Sequence, residues 1–455
     1  MAGVYTSTYS AVYGGDVEIT APPPVLPQFI IEAGMVPAAP VAGAGTLILD
    51  DAVNGLLDTN TLGTGTAWTD ISAYVLGFTI SRPSSRVQGP LLQFQAGTAS
   101  VTLDNSDGRF DPDNLSGPYV AGGVSQVRAM VPVRIRAVFG NVLYGLFGGF
   151  ADGWQETAVT YEGGYSEVTL AATDGFKVLA GITLATVGLT GAGAATGTRI
   201  NDILNRAGWY TSTEQRQIAA GDSTLQGTTL GDTALNLMQI AADSEIGQLY
   251  VSGGGAVTFR NRQSLITDTR SASPAGFFGD NPGGSELPVA AFGRADDDTT
   301  IANDVQATRV GGTLQEVTDA TSEALFLFPR TYARADLILQ TDADALSWAQ
   351  WVLYVSKAGE NRFDSVSVDP QAQPYDLWPQ VLGREMGDRI EATKRPIGTS
   401  AVTKDGFISG ITHTFDAATS AWLTTWGLQD ASKYGSFFTL DNATTGTLGA
   451  NALAF

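Results

Sequence analysis

Apolar and polar residues alternate most regularly between Asp70 and Asp113, DISAYVLGFTISRPSSRVQGPLLQFQAGTASVTLDNSDGRFDPD. Val75, Phe78 and Ile80 predict one strand, ending in Arg82. Phe94 to Leu103 predicts a second, with Ala99, Val101 and Leu103 on one face and Ser100 and Thr102 on the other. A period of two with β-branched residues marks a half-buried strand. The second strand runs into Asp104-Asn105-Ser106-Asp107-Gly108. Short acceptor side chains that bond nearby backbone, followed by a Gly that tolerates positive φ, predict a tight turn. Phe110 and Pro112 are expected to fix that turn to the body of the domain.

The same alternation recurs downstream. Pro132–Phe139 predicts a strand, Gly140-Asn141 a turn, Val142–Phe150 a strand, and Ser166–Thr173 another. Together residues 66–182 read as a first β-barrel, because short strands at regular spacing with Gly-rich turns favour a barrel or sandwich. The period then changes. Arg199–Trp209 carries Ile200, Ile203, Leu204 and Ala207 on one helical face, and 230–246 repeats this with Ala234, Leu237, Met238 and Ala241. Gln248–Val251 and Ala256–Arg260 flank Ser252-Gly253-Gly254-Gly255 and predict a hairpin, so 183–270 reads as a small α+β insert. Residues 271–300, rich in Gly, Pro and Asp, read as a loop.

Residues 301–432 read as a second β-barrel with one long helix at 341–359, beginning with a strand at Ile301–Val310. Thr341 caps that helix, Asp342 and Asp344 sit at its positive end, Leu346, Ala349, Val352 and Leu353 face inward, and Lys357 and Gly359 close it. Phe363–Val368 returns to strand. The termini read as extended arms. Residues 1 to about 45 hold Pro22-Pro23-Pro24 and Pro27, which favour extended backbone, and are too apolar for a solvated linker. They are expected to lie against a neighbour, with disorder as the alternative. Leu47-Ile48-Leu49 is a short strand before the first barrel, Asp50-Asp51 and Asn54-Gly55 are turn material, and 433–455 is a polar tail.

Composition narrows the chemistry. The 455 residues suffice for two to four domains and include no Cys, which excludes a disulfide framework, a thiolate metal site and a cysteine nucleophile. The one histidine, His413, excludes a multi-His zinc site and would have to serve as the base of any Ser-His-Asp triad. It sits in the strand-like run Phe407–Phe415, where a structural role is expected. The net charge of −21 argues against binding nucleic acid through a basic groove and suits a surface that must not hold DNA. No apolar run reaches the roughly 18 residues of a membrane span, and the N-terminus lacks the pattern of a signal peptide.

Three constellations invite a site, and for each a structural reading is preferred. Counted from Asp104 as a calcium loop, position five is Gly108 and position six Arg109; counted from Asp107, position six is Pro112. A structural turn is therefore expected. Asp296-Asp297-Asp298 with Asp304 could gather a cation, but a solvated loop is the preferred reading. Gly253-Gly254-Gly255 has no following helix or Lys-Ser/Thr, so it is a hairpin turn and not a phosphate loop. The tryptophans are scattered, with Trp348, Trp351 and Trp422 in core-like patterns, unlike a sugar cleft. No catalytic, cofactor-binding or metal residue is assigned, and no enzyme activity is expected.

An internal repeat is visible. Arg134-Ile135-Arg136-Ala137, Leu146-Phe147-Gly148-Gly149-Phe150, Val168-Thr169-Leu170 and Asp174 parallel Arg389-Ile390-Glu391-Ala392, Phe407-Ile408-Ser409-Gly410-Ile411, Thr424-Thr425-Trp426 and Asp430. Two related barrels in one chain would let three copies form a pseudo-sixfold ring.

Asp70–Val75, Phe94–Ala99 and Leu103–Pro112, in that order and spacing, resemble the opening barrel of siphophage (actinophage-type) minor tail proteins, relatives of the baseplate hubs of contractile tails. The resemblance covers roughly 46–432. It implies two tail-tube-like β-barrels, a small α+β module between them, and a virion protein at the tail tip. It implies a homotrimer matching a sixfold tube to a threefold tip. The implied partners are a distal tail or tail tube ring protein, the tape-measure protein, and tip fibre or other minor tail proteins, with phage DNA only as passing cargo during ejection. The alternative is a hexameric distal tail protein. A tip-associated cell-wall hydrolase or a receptor-binding module is less favoured.

Overall fold

The computed structural model describes residues 25–35, 45–46, 60–61, 68–85, 90–160, 165–281 and 285–434. The frame is a sheet of 14 strands. Its first half contains β1 (Gln28–Ala33), β2 (Val75–Arg82), β3 (Thr98–Asp104), β4 (Pro132–Phe139), β5 (Val142–Thr160) and β6 (Tyr165–Asp174), paired in the order β1-β4-β5-β6-β3-β2. Its second half contains β7 (Phe277–Gly279), β8 (Ala291–Asp297), β9 (Glu360–Val368), β10 (Arg389–Lys394), β11 (Val402–Asp416) and β12 (Ala421–Asp430). These pair in the order β7-β10-β11-β12-β9-β8, the same path with six added to each number. One difference is that β1 runs antiparallel to β4, whereas β7 runs parallel to β10. Residues 69–70 and 287–288 add a short strand to β1 and β7.

The repeat extends to irregularities. β5 steps past Asp152 against β6, between Ala151 and Gly153, and β11 steps past Ser409 against β12, between Ile408 and Gly410. A bulge is a placed feature of a strand, so its recurrence aligns Phe150 with Phe407 and Gly153 with Gly410. That register differs by four residues from the sequence alignment of Leu146 with Phe407. An even slip leaves each side chain on its own face, which is why the sequence pattern tolerates it. Another bulge, between Val75 and Gly77, explains how Val75 and Phe78, three apart, both face the core.

The chain is mainly β, as expected, but two closed barrels are not seen. Among the described residues neither half closes on itself, and both share one open sheet joined where β2 pairs with the end of β11. The predicted alternation does hold on β3, where Ala99, Val101 and Leu103 are buried and Thr98 and Ser100 exposed. One core runs through both halves, from Ile31 and Phe78 to Trp422 and Trp426. The 271–300 segment is not simply a loop: Phe277–Gly279 and Ala291–Asp297 are strands, too short and Gly-broken to show a period of two. Part of the N-terminal arm is likewise a sheet strand, β1, whose Ile31 and Ala33 are fully buried. The 47–49 strand, the 50–55 turns and the tail beyond Tyr434 lie outside the described residues.

The helices build a second core. Thr196–Arg206, Ala234–Glu245 and the long helix Asp342–Ser356 bring Ile200, Ile203, Met238, Trp348 and Val352 together. The expected 301–310 strand is Asp304–Arg309, in a separate three-stranded sheet with residues 315–318 and 331–337; the long helix packs chiefly on that sheet, whose Val305, Ala307 and Leu337 share the second core with the 183–270 module. Thr341 and Asp344 form the reciprocal cap expected of them. The helix Pro374–Gly383 escaped the sequence reading because Pro379 lies inside it; it buries Leu377, Trp378 and Val381 against the sheet core. Among the described residues no helix is long and apolar enough to cross a membrane.

Candidate functional site

The described sequence candidates for bound chemistry are engaged in internal contacts. In the Asp104–Asp113 turn, Asp104 Oδ1 accepts from Ser106 N at 2.9 Å, Asn105 Oδ1 from Phe110 N at 2.8 Å, and Asp111 Oδ1 from Asp113 N at 2.9 Å. Asp107 pairs with Arg109, which holds its carboxyl below the usual range. The carboxylates are turned inward on their own backbone, as a structural turn requires. Phe110 is fully buried between Tyr119 and Trp154, and so anchors the turn.

Of the second acidic group, two members have described side chains. Asp298 pairs with Arg330, while Asp304 accepts from Thr331 Oγ1 at 2.5 Å. The side chains of Asp296 and Asp297 lie outside the described residues. His413 is 1 % exposed, shares a 2.9 Å hydrogen bond through Nδ1 with Thr424 Oγ1, and stacks edge-on to Trp422. Burial, with a smaller contribution from Arg82, pushes its pKa down to about 3. It is neutral, enclosed and not placed to meet a substrate.

The Gly253–Gly255 turn has a different role from any phosphate loop: it is a contact. The hairpin Gln248–Val251 to Val257–Arg260 lays it across β5 at Gly145 and Gly148. A Cβ on Gly148 would stand 2.8 Å from Gly255 Cα, and one on Gly145 3.0 Å from Gly254 Cα. Glycine on both sides permits the backbones to touch.

Beside this contact lies the seam where the two halves and the module meet. Arg82, the last residue of β2, is 5 % exposed, and its Nη1 donates to Glu385 Oε1 at 2.5 Å. Glu385 also accepts from Gly253 N at 2.9 Å and Met386 N at 2.9 Å. One carboxylate thus ties first half, second half and module. On the far side of Arg82, Asp174 accepts from Gly97 N at 2.6 Å and from Phe176 N at 2.9 Å. Burial pushes Asp174 up to about 7, against the pull of those two donors and Arg82. The sequence reading singled out Asp174 only as the end of a repeated strand, and it did not identify Arg82 or Glu385 as partners. They lie 303 residues apart, and no local pattern links them.

A cleft of about 700 Å³ runs along the seam between β4, β5 and the hairpin. Its two strand arginines, Arg134 and Arg136, both hold Glu32, and Glu214 is the one carboxylate in its lining. That lining does not supply the paired carboxylates that sugar cleavage requires. What the geometry offers is joints between β units.

No protein-family model matches the chain, and no curated protein does. Among solved structures, the tail protein from Neisseria meningitidis MC58 superposes with a TM-score of 0.53 at 10 % identity, covering 90 % of this chain and 98 % of its own. The 43 kDa tail protein of prophage MuSo2 from Shewanella oneidensis gives 0.48 at 11 % identity, over 90 % of this chain and 98 % of that one. An Escherichia coli component of the type VI secretion system, described as structurally similar to the T4 phage tail proteins gp27 and gp5, gives 0.41 at 10 % identity, over 79 % and 74 %. At such identity the likeness is one of architecture, and it extends over nearly the whole Neisseria protein. This chain carries the fold of a tail protein.

Proposed function

We propose that the chain is a structural, non-enzymatic component of a phage tail, acting at the tail tip as a hub between tube and tip. The observation that carries this reading is the repeated strand path, β1-β4-β5-β6-β3-β2 and β7-β10-β11-β12-β9-β8, in one open sheet. Two equivalent β units per chain suit a protein that must match sixfold to threefold symmetry, with three copies supplying six units. In this reading the tail-tube-like barrels are completed in the assembly, the terminal arms contact neighbours, and the ring encloses the path of the tape measure and then of DNA. The net charge of −21 fits a lumen that repels phosphate.

The test is the mass and symmetry of the assembly, by light scattering and then imaging of tail tips. Three copies in a six-unit ring support the hub. Six copies move the chain to a distal tail ring. A basic channel in the ring would overturn the proposed lumen.

A further inference from the structure

Arg82 stands between two carboxylates that serve different ends of the module. Asp174 ends β6 and caps the helix Gly175–Gly181, through which the chain leaves the first half for the module. Glu385 belongs to the second half and holds the module's return contact, accepting from Gly253 N at 2.9 Å. The ion pair of Arg82 goes to Glu385. Asp174 accepts from two backbone amides, those of Gly97 and Phe176, and among the described residues from no side chain.

Arg82 nevertheless passes close to Asp174. A Cβ on Gly97 would stand 2.9 Å from Asp174 Oδ2 and 3.1 Å from Arg82 Cγ, so both side chains flank the same glycine. Two bonds beyond that Cγ, Arg82 Nε is buried and has no acceptor among the described residues. Glu385 engages only Nη1, which leaves the guanidinium a second acceptor to gain.

The charge balance has the same consequence. Two ionised carboxylates around one guanidinium leave a net negative charge where Arg82 and Asp174 are 5 % and 2 % exposed. Burial penalises that charge, and a retained proton removes it. The proton belongs to Asp174, whose carboxyl burial pushes up to about 7. The neighbouring charged groups are committed elsewhere. Lys177, on the helix that Asp174 caps, pairs with Asp152 of β5. Asp388 pairs with Arg270 and Arg384, and Arg260 of the hairpin with Asp268. His413 of β11 is neutral, and burial keeps Tyr250 of the hairpin protonated.

We infer that Asp174, Arg82 and Glu385 form a proton-operated latch on the module. With Asp174 protonated, Arg82 belongs to Glu385, and that carboxylate holds the Gly253 turn on the seam. With Asp174 ionised, Arg82 is shared, Glu385 loses part of its cation, and the Gly253 turn loosens. The module is therefore seated tightly on the acid side and less tightly as pH rises through neutrality. The latch lies within one chain and does not depend on how many copies assemble.

The test is amide hydrogen exchange of the full-length chain at pH about 6 and about 8, corrected for the free-amide rate at each pH. The expected result is a several-fold loss of protection at residues 252–256, with protection of the long helix Asp342–Ser356 unchanged. In Asp174→Asn, which cannot ionise, the loss is expected to vanish. Glu385→Gln is the second variant. It removes the competitor for Arg82, so the midpoint of the Asp174 titration, followed by the infrared band of the protonated carboxyl, is expected to move to lower pH. Equal protection of residues 252–256 at both pH values overturns the latch. An equal loss in the long helix would be a global loosening and also overturns it. A midpoint unmoved by Glu385→Gln overturns it even where Asp174→Asn does not fold.

Discussion

Two buried ionisable side chains, His413 and Asp174, oppose each other in their response to pH. His413 falls from 6.5 to about 3 on burial, so the unfolded chain takes a proton that the folded one refuses. Its contribution is present above 6.5 and lost as pH falls toward 3. Asp174 rises from 3.8 to about 7, so its contribution is present below 3.8 and lost as pH rises through 7. Between about 4 and 6.5 the two slopes oppose. His413→Leu is expected to gain stability relative to the native chain as pH drops from 6.5 to 4, read from urea midpoints across that range. A stability difference independent of pH would show that His413 is not held neutral. Both positions were legible as strand residues, and His413 as structural. The Asp174 environment was not, because Gly97 and Arg82 reach it from segments distant in sequence.

At the scale of elements, packing is limited by backbone contact more than by side-chain volume. Gly148→Val should force the Gly253–Gly255 hairpin off β5, since even a Cβ there meets Gly255 Cα at 2.8 Å. Overpacking of this kind costs about 1–3 kcal/mol. Gly181→Ala, where nothing stands within 4 Å, should leave the melting temperature nearly unchanged. Equal effects from the two substitutions would mean that hairpin and strand are not pressed together. The glycine run announced a turn in the sequence, but its partner strand was invisible there. The strand β3, the helix cap at Thr341 and the hairpin itself followed from local chemistry. The helix Pro374–Gly383 and the strands β7 and β8 did not, because their local residues argue against them and the surrounding core overrides that preference.

At the scale of the whole molecule, a seam of few polar residues ties the two halves to the module within one shared core. Arg82→Met leaves Glu385 with its two backbone donors but no cation, and should cost toward the lower end of the roughly 3–5 kcal/mol seen when one partner of a buried pair is removed. Adding Glu385→Gln should recover part of that loss. A double-mutant cycle with no coupling would show that the pair does not tie the halves. The same seam orients β2 against β11, so Arg82→Met is also expected to weaken the proposed assembly. Loss of assembly while the subunit stays folded would be its signature in light scattering.

The residues by themselves determined the β alternation, the principal helices, the turn at Asp104–Asp113 and the existence of a repeat. Each of these rests on contacts within a few positions, or on a period that survives an even slip of register. Tertiary structure alone decided that the halves share one open sheet, that the long helix belongs to the module's core, and that Arg82, Glu385 and Gly253 meet. Those outcomes depend on which strand edges and backbones come together across hundreds of residues. An edge has no sequence signature of its own, since its hydrogen-bonding groups are the same in every residue except proline.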